Sequence, residues 1–296
     1  MTFKYPITEA EAKGSRPYQE DRHFISTMDE GFLLGVFDGH GGDEAAAFCV
    51  EELPAIFADE IGEHVSVASP VEAQRILADP EATPEQVAAA HAMEIVKPDP
   101  QHAHPPIVIR NAFAKLAGLT KDFLSGTTAS VAYIPWNKAA TPWSIDTVWV
   151  AVIGDSPVIV KDAAGKVNIS PEHNVRTNMA ERKAAEGRGG YVHGGYLYDP
   201  QDRDGPGLQM GRALGDKSLA RVLSREPDIY PVAVGPSSFV LLATDGAFDP
   251  GHYNFDEAAG AVVSMLEHGL AAENVVNRAL SAKTGDNVTA IVARFE

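Results

Sequence analysis

Cysteine is almost absent from this chain of 296 residues, because Cys49 is the only one. A single thiol can form neither an internal disulfide nor a cysteine-rich zinc site. No run of 18 apolar residues occurs, and the stretch from Met1 to Arg22 lacks the apolar centre of a signal peptide. We therefore expect a protein of the cytoplasm or the nucleus that does not cross a membrane.

Positive charge is also scarce. The chain has 24 Lys and Arg residues against 41 Asp and Glu residues, which gives a net charge of −17. Such a surface repels nucleic acid and anionic membranes, so neither is expected as a partner. It would also repel a phosphorylated substrate, unless metal ions bound by some of the carboxylates invert the local field. Hydrophobic residues make up 45% of the chain, which is enough for a sizeable core.

Four apolar segments of strand length carry an Asp beside a Gly at one end. Three of them end at Asp38-Gly39, Gly154-Asp155 and Asp245-Gly246, and the fourth begins after Gly285-Asp286. Their continuous apolarity predicts strands covered on both faces, as in a sheet packed between another sheet and helices. Antiparallel pairing places the end of one strand beside the start of the next, so the four carboxylates can meet at one edge. A single Asp-Gly is usually a turn, but four on central strands favour a site.

Helical patterns alternate with these strands. A segment rich in Ala, Pro and His, at about 62–106, predicts a surface insertion, and the Gly-rich run 187–195 predicts a mobile loop or flap within about 185–210. The predicted helices are 44–58, 84–96, 107–123, 174–186, 256–268 and 271–282, and further strands are predicted at 127–134, 158–161 and 227–234.

The segment Asp38-Gly39-His40 is the strongest local candidate for chemistry. An Asp at a strand end can offer one carboxylate oxygen to each of two metal ions, and the following glycine lets the backbone carbonyl approach closely enough to add a ligand. His40 would then lie against the substrate, although a lone histidine is also compatible with a capping or surface role. Oxygen ligands predict Mg²⁺ or Mn²⁺ rather than Zn²⁺ or Cu²⁺.

Upstream, Arg16 lies close in sequence to Glu20 and Asp21. A guanidinium suits phosphate because its planar fork donates two parallel hydrogen bonds. Taken alone, this segment is better explained as an exposed cluster of ion pairs.

Seven short motifs extend this pattern along almost the whole chain. They are Arg16-x-x-x-Glu20-Asp21, Val36-Phe-Asp38-Gly-His-Gly-Gly42, Ser125-Gly-Thr-Thr-Ala129, Gly154-Asp155-Ser156, Arg212-Ala-Leu-Gly-Asp216, Ala243-Thr-Asp245-Gly246 and Gly285-Asp286-Asn287-Val-Thr289. In this set and order, the chain resembles the metal-dependent protein Ser/Thr phosphatases of type 2C, the PPM family, over about residues 5–295.

The resemblance implies an α+β fold, a four-layer α-β-β-α sandwich of two antiparallel sheets flanked by helices. It implies one catalytic domain over 1–296 with the metal site at one edge. Two ions, Mg²⁺ or Mn²⁺, are implied there. Asp38 would bridge them, the Gly39 carbonyl would ligate one, and Asp245 and Asp286 would hold the other.

The resemblance also implies roles for residues around the ions. Glu20 would act through metal-bound water, and Asp21 is a candidate for the same role. Asp155 would hold a third, weaker ion together with Asp245. Arg16 matches the phosphate-binding arginine of the family, and His40 matches its proposed general acid. A further match, Asp216, is interpreted as structural.

The function implied is hydrolysis of phosphoserine and phosphothreonine in other proteins, with water activated by a dinuclear Mg²⁺ or Mn²⁺ centre. The chain would act as a monomer on phosphoproteins. Two alternatives stay open, a catalytically silent scaffold and a metallohydrolase of a small phosphorylated metabolite. Pro157 stands where the family usually has Arg, and Glu172 stands where it usually has Asp before His173, which leaves substrate choice open.

Overall fold

Two five-stranded antiparallel sheets lie face to face between helices in the computed structural model of this chain. The structure describes residues 6–67, 83, 104–138, 140, 144–202, 205–249 and 255–295. No helix within these ranges is long and apolar enough to cross a membrane. The expected four-layer α-β-β-α sandwich is confirmed.

The described residues form fifteen strands and five α-helices. The strands are β1 (Ile7–Ala12), β2 (Arg22–Met28), β3 (Gly31–Phe37), β4 (Gly39–His40), β5 (Gly126–Thr127), β6 (Ala129–Pro135), β7 (Thr147–Ile153), β8 (Val158–Lys161), β9 (Val167–Ile169), β10 (Tyr191–His193), β11 (Tyr196–Tyr198), β12 (Leu214–Gly215), β13 (Asp228–Ala233), β14 (Phe239–Ala243) and β15 (Val288–Arg294). The helices are α1 (Glu44–Val67), α2 (Pro105–Thr120), α3 (Met179–Gly187), α4 (Phe255–Glu267) and α5 (Ala272–Ser281).

Each large sheet has one face against the other sheet and one face against a pair of helices. The first sheet has the order β1-β15-β14-β8-β9 and is covered by α4 and α5, whereas the second has the order β13-β7-β6-β3-β2 and is covered by α1 and α2. Leu34, Val150 and Leu242 are fully buried between the sheets. Burying such a side chain stabilises the fold by about 1.5–3 kcal/mol, and burial on both faces explains the continuous apolarity of the central strands.

Strand direction brings the Asp-Gly ends of the strands together. In the first sheet, β14 and β15 are antiparallel neighbours, so the residues after Ala243 lie beside the residues before Val288. In the second sheet, β3 and β7 are both antiparallel to β6, so they run in the same direction and end at the same edge. The predicted convergence of strand ends is therefore observed.

The helix predicted to end at 58 is longer than expected and enters the predicted insertion at about 62–106. Helix α1 continues through Val67, so residues 62–67 are helical, and α2 already begins at Pro105. A proline is tolerated in the first turn of a helix, where its missing N–H has no partner to lose. The rest of the predicted insertion, 68–82 and 84–103, and the predicted helix 84–96 lie outside the described residues.

Two other predicted boundaries were wrong. The predicted helix 174–186 begins only at Met179, because the side chain of Asn178 caps it by accepting the N–H groups of Ala180 and Glu181. The predicted strand 127–134 is divided at Thr128 between β5, which pairs with β4 and β12 in a small sheet, and β6.

The Gly-rich run is not one continuous loop. It includes the end of α3 and then the hairpin β10-β11, whose turn is formed by Gly194 and Gly195 with φ of 61° and 86°. Two residues with positive φ suit the turn of a two-residue hairpin. The hairpin packs Val192 and Leu197 into a small apolar cluster with Val222. The described part of the predicted flap at about 185–210 thus includes a hairpin that packs on an apolar cluster, and its mobility stays a prediction.

Candidate metal-binding and catalytic site

A cavity of about 450 Å³ lies at the edge where the strand ends converge. Its wall contains several of the predicted carboxylates, together with the arginine and the histidine that are expected to act on the phosphate. The residues of the predicted site that line it are Arg16, Asp38, Gly39, His40, Asp155, Asp245 and Asp286. Glu20, also predicted for the site, does not line the cavity; its carboxylate accepts the N–H of Gly42 at 2.7 Å.

Glycines let the acidic segments approach one another. A Cβ on Gly246 would lie 1.9 Å from the Asn287 carbonyl oxygen, and a Cβ on Gly39 would lie 2.3 Å from that of Glu20. Real Cβ atoms do not come so close to backbone atoms, so any other residue at either position would force the segments apart. The glycines of the Asp-Gly pairs therefore allow two backbone segments to approach closely, in addition to forming the turns expected from the sequence.

Asp38 is held by the backbone and hydroxyl of a neighbouring strand segment. Its N–H donates to Thr128 Oγ1 at 3.0 Å, and its carbonyl accepts the N–H of Thr128 at 3.0 Å and the Thr127 hydroxyl at 3.1 Å. These bonds fix the main chain at the end of β3, so the Asp38 carboxylate points from a rigid base.

Asp21 is the most deeply buried carboxylate of the group, with 1% of its surface exposed. One of its oxygens, Oδ2, accepts the hydroxyls of Thr289 at 2.9 Å and Thr244 at 3.0 Å. Burial and the neighbouring Asp286 raise the pKa of Asp21 to about 7, against the lowering effect of the two hydroxyls. The threonines of two sequence motifs are thereby explained as partners of this one acid.

The other carboxylates raise one another's pKa values. Burial raises the pKa of Asp245 to about 7, with further contributions from Asp286 and Asp21. Burial and Asp245 raise the pKa of Asp155 to about 7 as well. For Asp38 the pKa is raised well above its ordinary value by burial and by the charges of the surrounding aspartates. Gathering anions in this way is costly unless cations or protons accompany them.

Asn287 connects the N-terminal segment to the loop that carries Asp286. Its side-chain oxygen accepts the N–H of Glu20 at 2.8 Å, and its side-chain nitrogen donates to the carbonyls of Lys13 at 2.8 Å and Tyr18 at 2.9 Å. These three bonds span the part of the chain that contains Arg16. They set where the arginine stands relative to the acids.

Arg16 is half-exposed at the rim of the cavity, with 49% of its side chain accessible. Its Nη2 contacts Asp286 Oδ2 at 2.7 Å, and its Nε donates to the carbonyl of Gly285 at 3.1 Å. A guanidinium has five N–H donors in a planar fork. Donors on the far side of the fork are therefore left for an anion in the cavity.

His40 forms a close pair with Asp216. The ring nitrogen Nε2 lies 3.0 Å and 2.9 Å from the two carboxylate oxygens of Asp216, so Nε2 carries a hydrogen and Nδ1 is the nitrogen left for other partners. A Cβ on Gly126 would lie 2.0 Å from Asp216 Oδ2 and 2.3 Å from His40 Nε2. The glycine of the Ser125-Gly-Thr motif thus makes room for the pair, and Asp216 contacts a predicted site residue rather than being only structural.

The donor set of the cavity suits hard divalent cations. It consists of carboxylate and backbone oxygens, which are the ligands that Mg²⁺ and Mn²⁺ prefer. In the ranges that the structure describes, no group of three or more His, Cys, Asp or Glu side chains is arranged so that it could hold a metal ion as it stands. Asp286 and Asp155 instead contact protein donors, Arg16 and Asn174. The donor chemistry of the cavity wall fits such ions.

Sequence reasoning missed two residues that hold these acids in place. Asp249 accepts the N–H of Gly285 at 2.6 Å and so supports the turn before Asp286. It lies four residues after Asp245, just beyond the short helical turn Asp245–Ala247. Asn174 contacts Asp155 at 3.0 Å, and no local pattern indicated it.

A sandwich of two antiparallel sheets with an acidic cavity at one edge is the architecture of a metal-dependent phosphatase. The family model described as Protein phosphatase 2C matches residues 8–288. The chain belongs to this family, whose members are metal-dependent protein phosphatases.

Individual relatives agree with this assignment. The protein named Probable protein phosphatase 2C 59 from Oryza sativa subsp. japonica is 26% identical over 299 residues, which cover 99% of this chain and 76% of that protein. Probable protein phosphatase 2C 71 from Arabidopsis thaliana is 27% identical over 300 residues, which cover 99% of this chain and 56% of that protein. The chain is thus similar to a part of each plant protein.

Solved structures share the fold. The serine-threonine phosphatase 2C from Toxoplasma gondii has a TM-score of 0.63 at 22% identity, and the match covers 100% of this chain and 96% of that one. A sex determining protein of C. elegans has a TM-score of 0.65 at 23% identity, covering 98% of this chain and 64% of that one. At these identities the likeness supports the fold alone.

Proposed function

We propose that this chain removes phosphate from phosphoserine and phosphothreonine of other proteins, with two Mg²⁺ or Mn²⁺ ions at the acidic cavity. The observation that carries the proposal is the gathering of Asp38, Asp155, Asp245 and Asp286 around one cavity, where burial and mutual repulsion raise the pKa values of three of them. Divalent cations would offset that repulsion. Asp38 would be a ligand of both ions.

The remaining ligands follow from position. The Gly39 carbonyl, Asp245 and Asp286 would be further ligands, and Glu20 would act through water. Asp155 and Asp245 would hold a weaker third ion. Ions bound in this way lower the pKa of water towards neutrality and neutralise charge on phosphate.

Two side chains of the site, those of Arg16 and His40, would act on the substrate directly. Arg16 binds the phosphate with the guanidinium donors that Asp286 and Gly285 do not use. His40 gives a proton from Nδ1 to the departing alkoxide, while its Nε2 stays on Asp216 and holds the ring in orientation. A general acid held in this way loses no contact when the ring changes its protonation.

The wall of the cavity favours a protein substrate over a small metabolite. It includes exposed side chains, among them Glu172 and Arg176, and the 40%-exposed Ile169 and Tyr196. A metabolite site would enclose its ligand and bury most of its surface. A rim of exposed polar and apolar side chains can instead contact residues on either side of a phosphoserine.

Phosphate release from matched pSer, pThr and pTyr peptides tests this proposal, with Mn²⁺, with Mg²⁺ and with EDTA. We expect turnover of pSer and pThr peptides with either metal and none with EDTA. A phosphorylated sugar of similar concentration serves as the metabolite control. No phosphate release from any peptide, with metal present, would refute the enzymatic proposal and favour the silent scaffold.

The cytoplasmic or nuclear location, the monomeric state, the absence of nucleic-acid partners and the single catalytic domain over 1–296 stay predictions. Size-exclusion chromatography with light scattering checks the monomer directly. A dimer at micromolar concentration would contradict it.

A further inference from the structure

His173 and Asn174, which no sequence motif assigned to the site, form hydrogen bonds with the turn Gly154-Asp155. We infer that Asn174 is a positioning residue, which takes one oxygen of the Asp155 carboxylate and thereby aims the other at a divalent cation in the cavity. The inference rests on the proposed metal site. It adds an explanation of how Asp155, which would hold the weaker third ion, is oriented there.

His173 forms two hydrogen bonds with the backbone of Gly154. The N–H of Gly154 donates to His173 Nδ1 at 3.0 Å, and the N–H of His173 donates to the carbonyl of Gly154 at 3.0 Å. His173 is fully buried, and its Nε2 donates to Asp228 Oδ2 at 3.1 Å. Gly154 has a φ of 97°, a conformation that glycine adopts without strain. The main chain before Asp155 is therefore held in one geometry.

The orientation of the Asn174 amide follows from its other partner. Its Oδ1 accepts the N–H of Arg176 at 2.9 Å, which is the pattern of an Asx turn. A backbone N–H can only donate, so the oxygen of the amide must face Arg176. The amide nitrogen then faces Asp155, and Nδ2 lies 3.0 Å from Oδ2. The assignment of the donor is thus fixed by chemistry.

Asn174 has little freedom to move. It is 8% exposed, its carbonyl accepts the N–H of Asn178 at 2.9 Å, and its backbone pairs with Met210. One oxygen of Asp155 is therefore committed to a fixed neutral donor. The other oxygen, Oδ1, is left for a cation in the cavity that Asp155 and Asn174 both line.

A neutral donor suits this task better than a charged one. Lys or Arg would satisfy Asp155 but would place a positive charge beside a cation site, whereas Asp or Glu would add a second anion in contact with the first. An amide fixes the carboxylate and leaves its charge for the metal. Partners of this kind, which orient a ligand through a hydrogen bond, typically contribute a factor of about 10–100 to metal affinity.

Calorimetric titration with Mn²⁺ tests the inference in the absence of substrate. Asn174→Ser is the main variant, because a serine hydroxyl can still accept the N–H of Arg176 but is too short to reach Asp155. We expect the low-affinity phase of binding to weaken by about 10–100-fold, while the high-affinity phase changes less than about twofold. Asn174→Ala should give the same result, and Asp155→Ala should remove the low-affinity phase.

Asn178→Ala is the matched control. It removes the cap of α3 but no contact with Asp155, so it should lower the melting temperature and leave both Mn²⁺ phases unchanged. In the background of Asp155→Ala, adding Asn174→Ser should change Mn²⁺ binding no further.

Wild-type affinity in the low-affinity phase of Asn174→Ser would overturn the inference and leave the proposed phosphatase standing. Equal weakening of that phase by Asn178→Ala would also overturn it, because the effect would then come from general loosening of the fold. Failure of the wild-type protein to bind Mn²⁺ at all would overturn the proposed function as well.

Discussion

Replacing Asn287 by Ala should destabilise the protein and weaken substrate binding together. The Asn287 side chain is the partner of three backbone groups of the N-terminal segment, the N–H of Glu20 and the carbonyls of Lys13 and Tyr18. With 4% of its surface exposed, Asn287 is not replaced by water without some movement of that segment. The substitution removes all three bonds and no charge.

The size of the effect follows from the number of bonds. A hydrogen bond of this kind contributes about 1 kcal/mol net, so three of them contribute about 3 kcal/mol to the free energy of unfolding. For a chain of 296 residues the entropy of unfolding is about 0.6 kcal/mol per degree, so the melting temperature should fall by roughly 5 °C. Because Arg16 lies within the released segment, KM for a phosphoserine peptide should rise as well.

Urea unfolding and peptide kinetics of Asn287→Ala measure both effects. Asn277→Ala is the matched control, since Asn277 is exposed on α5 and the same change there should stay within about 0.5 kcal/mol. A loss of less than about 1 kcal/mol with an unchanged KM would refute the reasoning, because the three bonds would then be replaced by solvent at no cost.

Four further substitutions test single residues of the site. Asp38→Asn should abolish phosphate release, because an amide cannot bridge two cations. It should also abolish the rise in melting temperature that millimolar Mn²⁺ is expected to cause. More than about a tenth of wild-type activity would contradict this prediction. His40→Ala should lower kcat on phosphoserine peptides by about 10²–10⁴-fold but less on p-nitrophenyl phosphate, whose leaving group needs no proton, and equal losses on both would remove the proton-donor role. Arg16→Ala should mainly raise KM, and a large loss of kcat at constant KM would make Arg16 a transition-state residue instead. Gly126→Ala should reproduce the loss of His40→Ala, because the added Cβ would lie 2.3 Å from His40 Nε2. Gly118→Ala, where the added Cβ meets nothing within 4 Å, should be silent, and equal activity of the two glycine variants would count against the pairing of His40.

Local features of the fold were predictable because their causes are local. The strand Val158–Lys161 was predicted with the observed bounds, and the strands before Asp38, Asp155 and Asp245 were recognised from apolar runs that end at Asp and Gly. The continuous apolarity of these strands predicted a sheet packed between another sheet and helices, and the resemblance to the type 2C phosphatases implied the four layers. The Asp residues at the ends of these strands predicted the sheet edge at which the site lies.

The boundaries that failed depend on contacts beyond the local sequence. Helix α3 begins at Met179 rather than at 174, because Asn178 caps it there and Asn174 is instead engaged with Asp155. The strand predicted at 127–134 divides at Thr128, since Thr128 exchanges hydrogen bonds with Asp38 instead of continuing one ladder. In both places a tertiary contact prevails over the propensity of the segment.

The sequence by itself determined the type of chemistry, since oxygen ligands, one cysteine and the order of the motifs define which residues are available. Tertiary structure alone decided how each of those residues is held. His40 and Asp216 are 176 positions apart, and Arg16 and Asp286 are 270 apart, so no window of sequence contains either pair. A hydrogen bond requires its two atoms to lie within about 3 Å. Only the packing of the two sheets brings residues so distant along the chain to that separation.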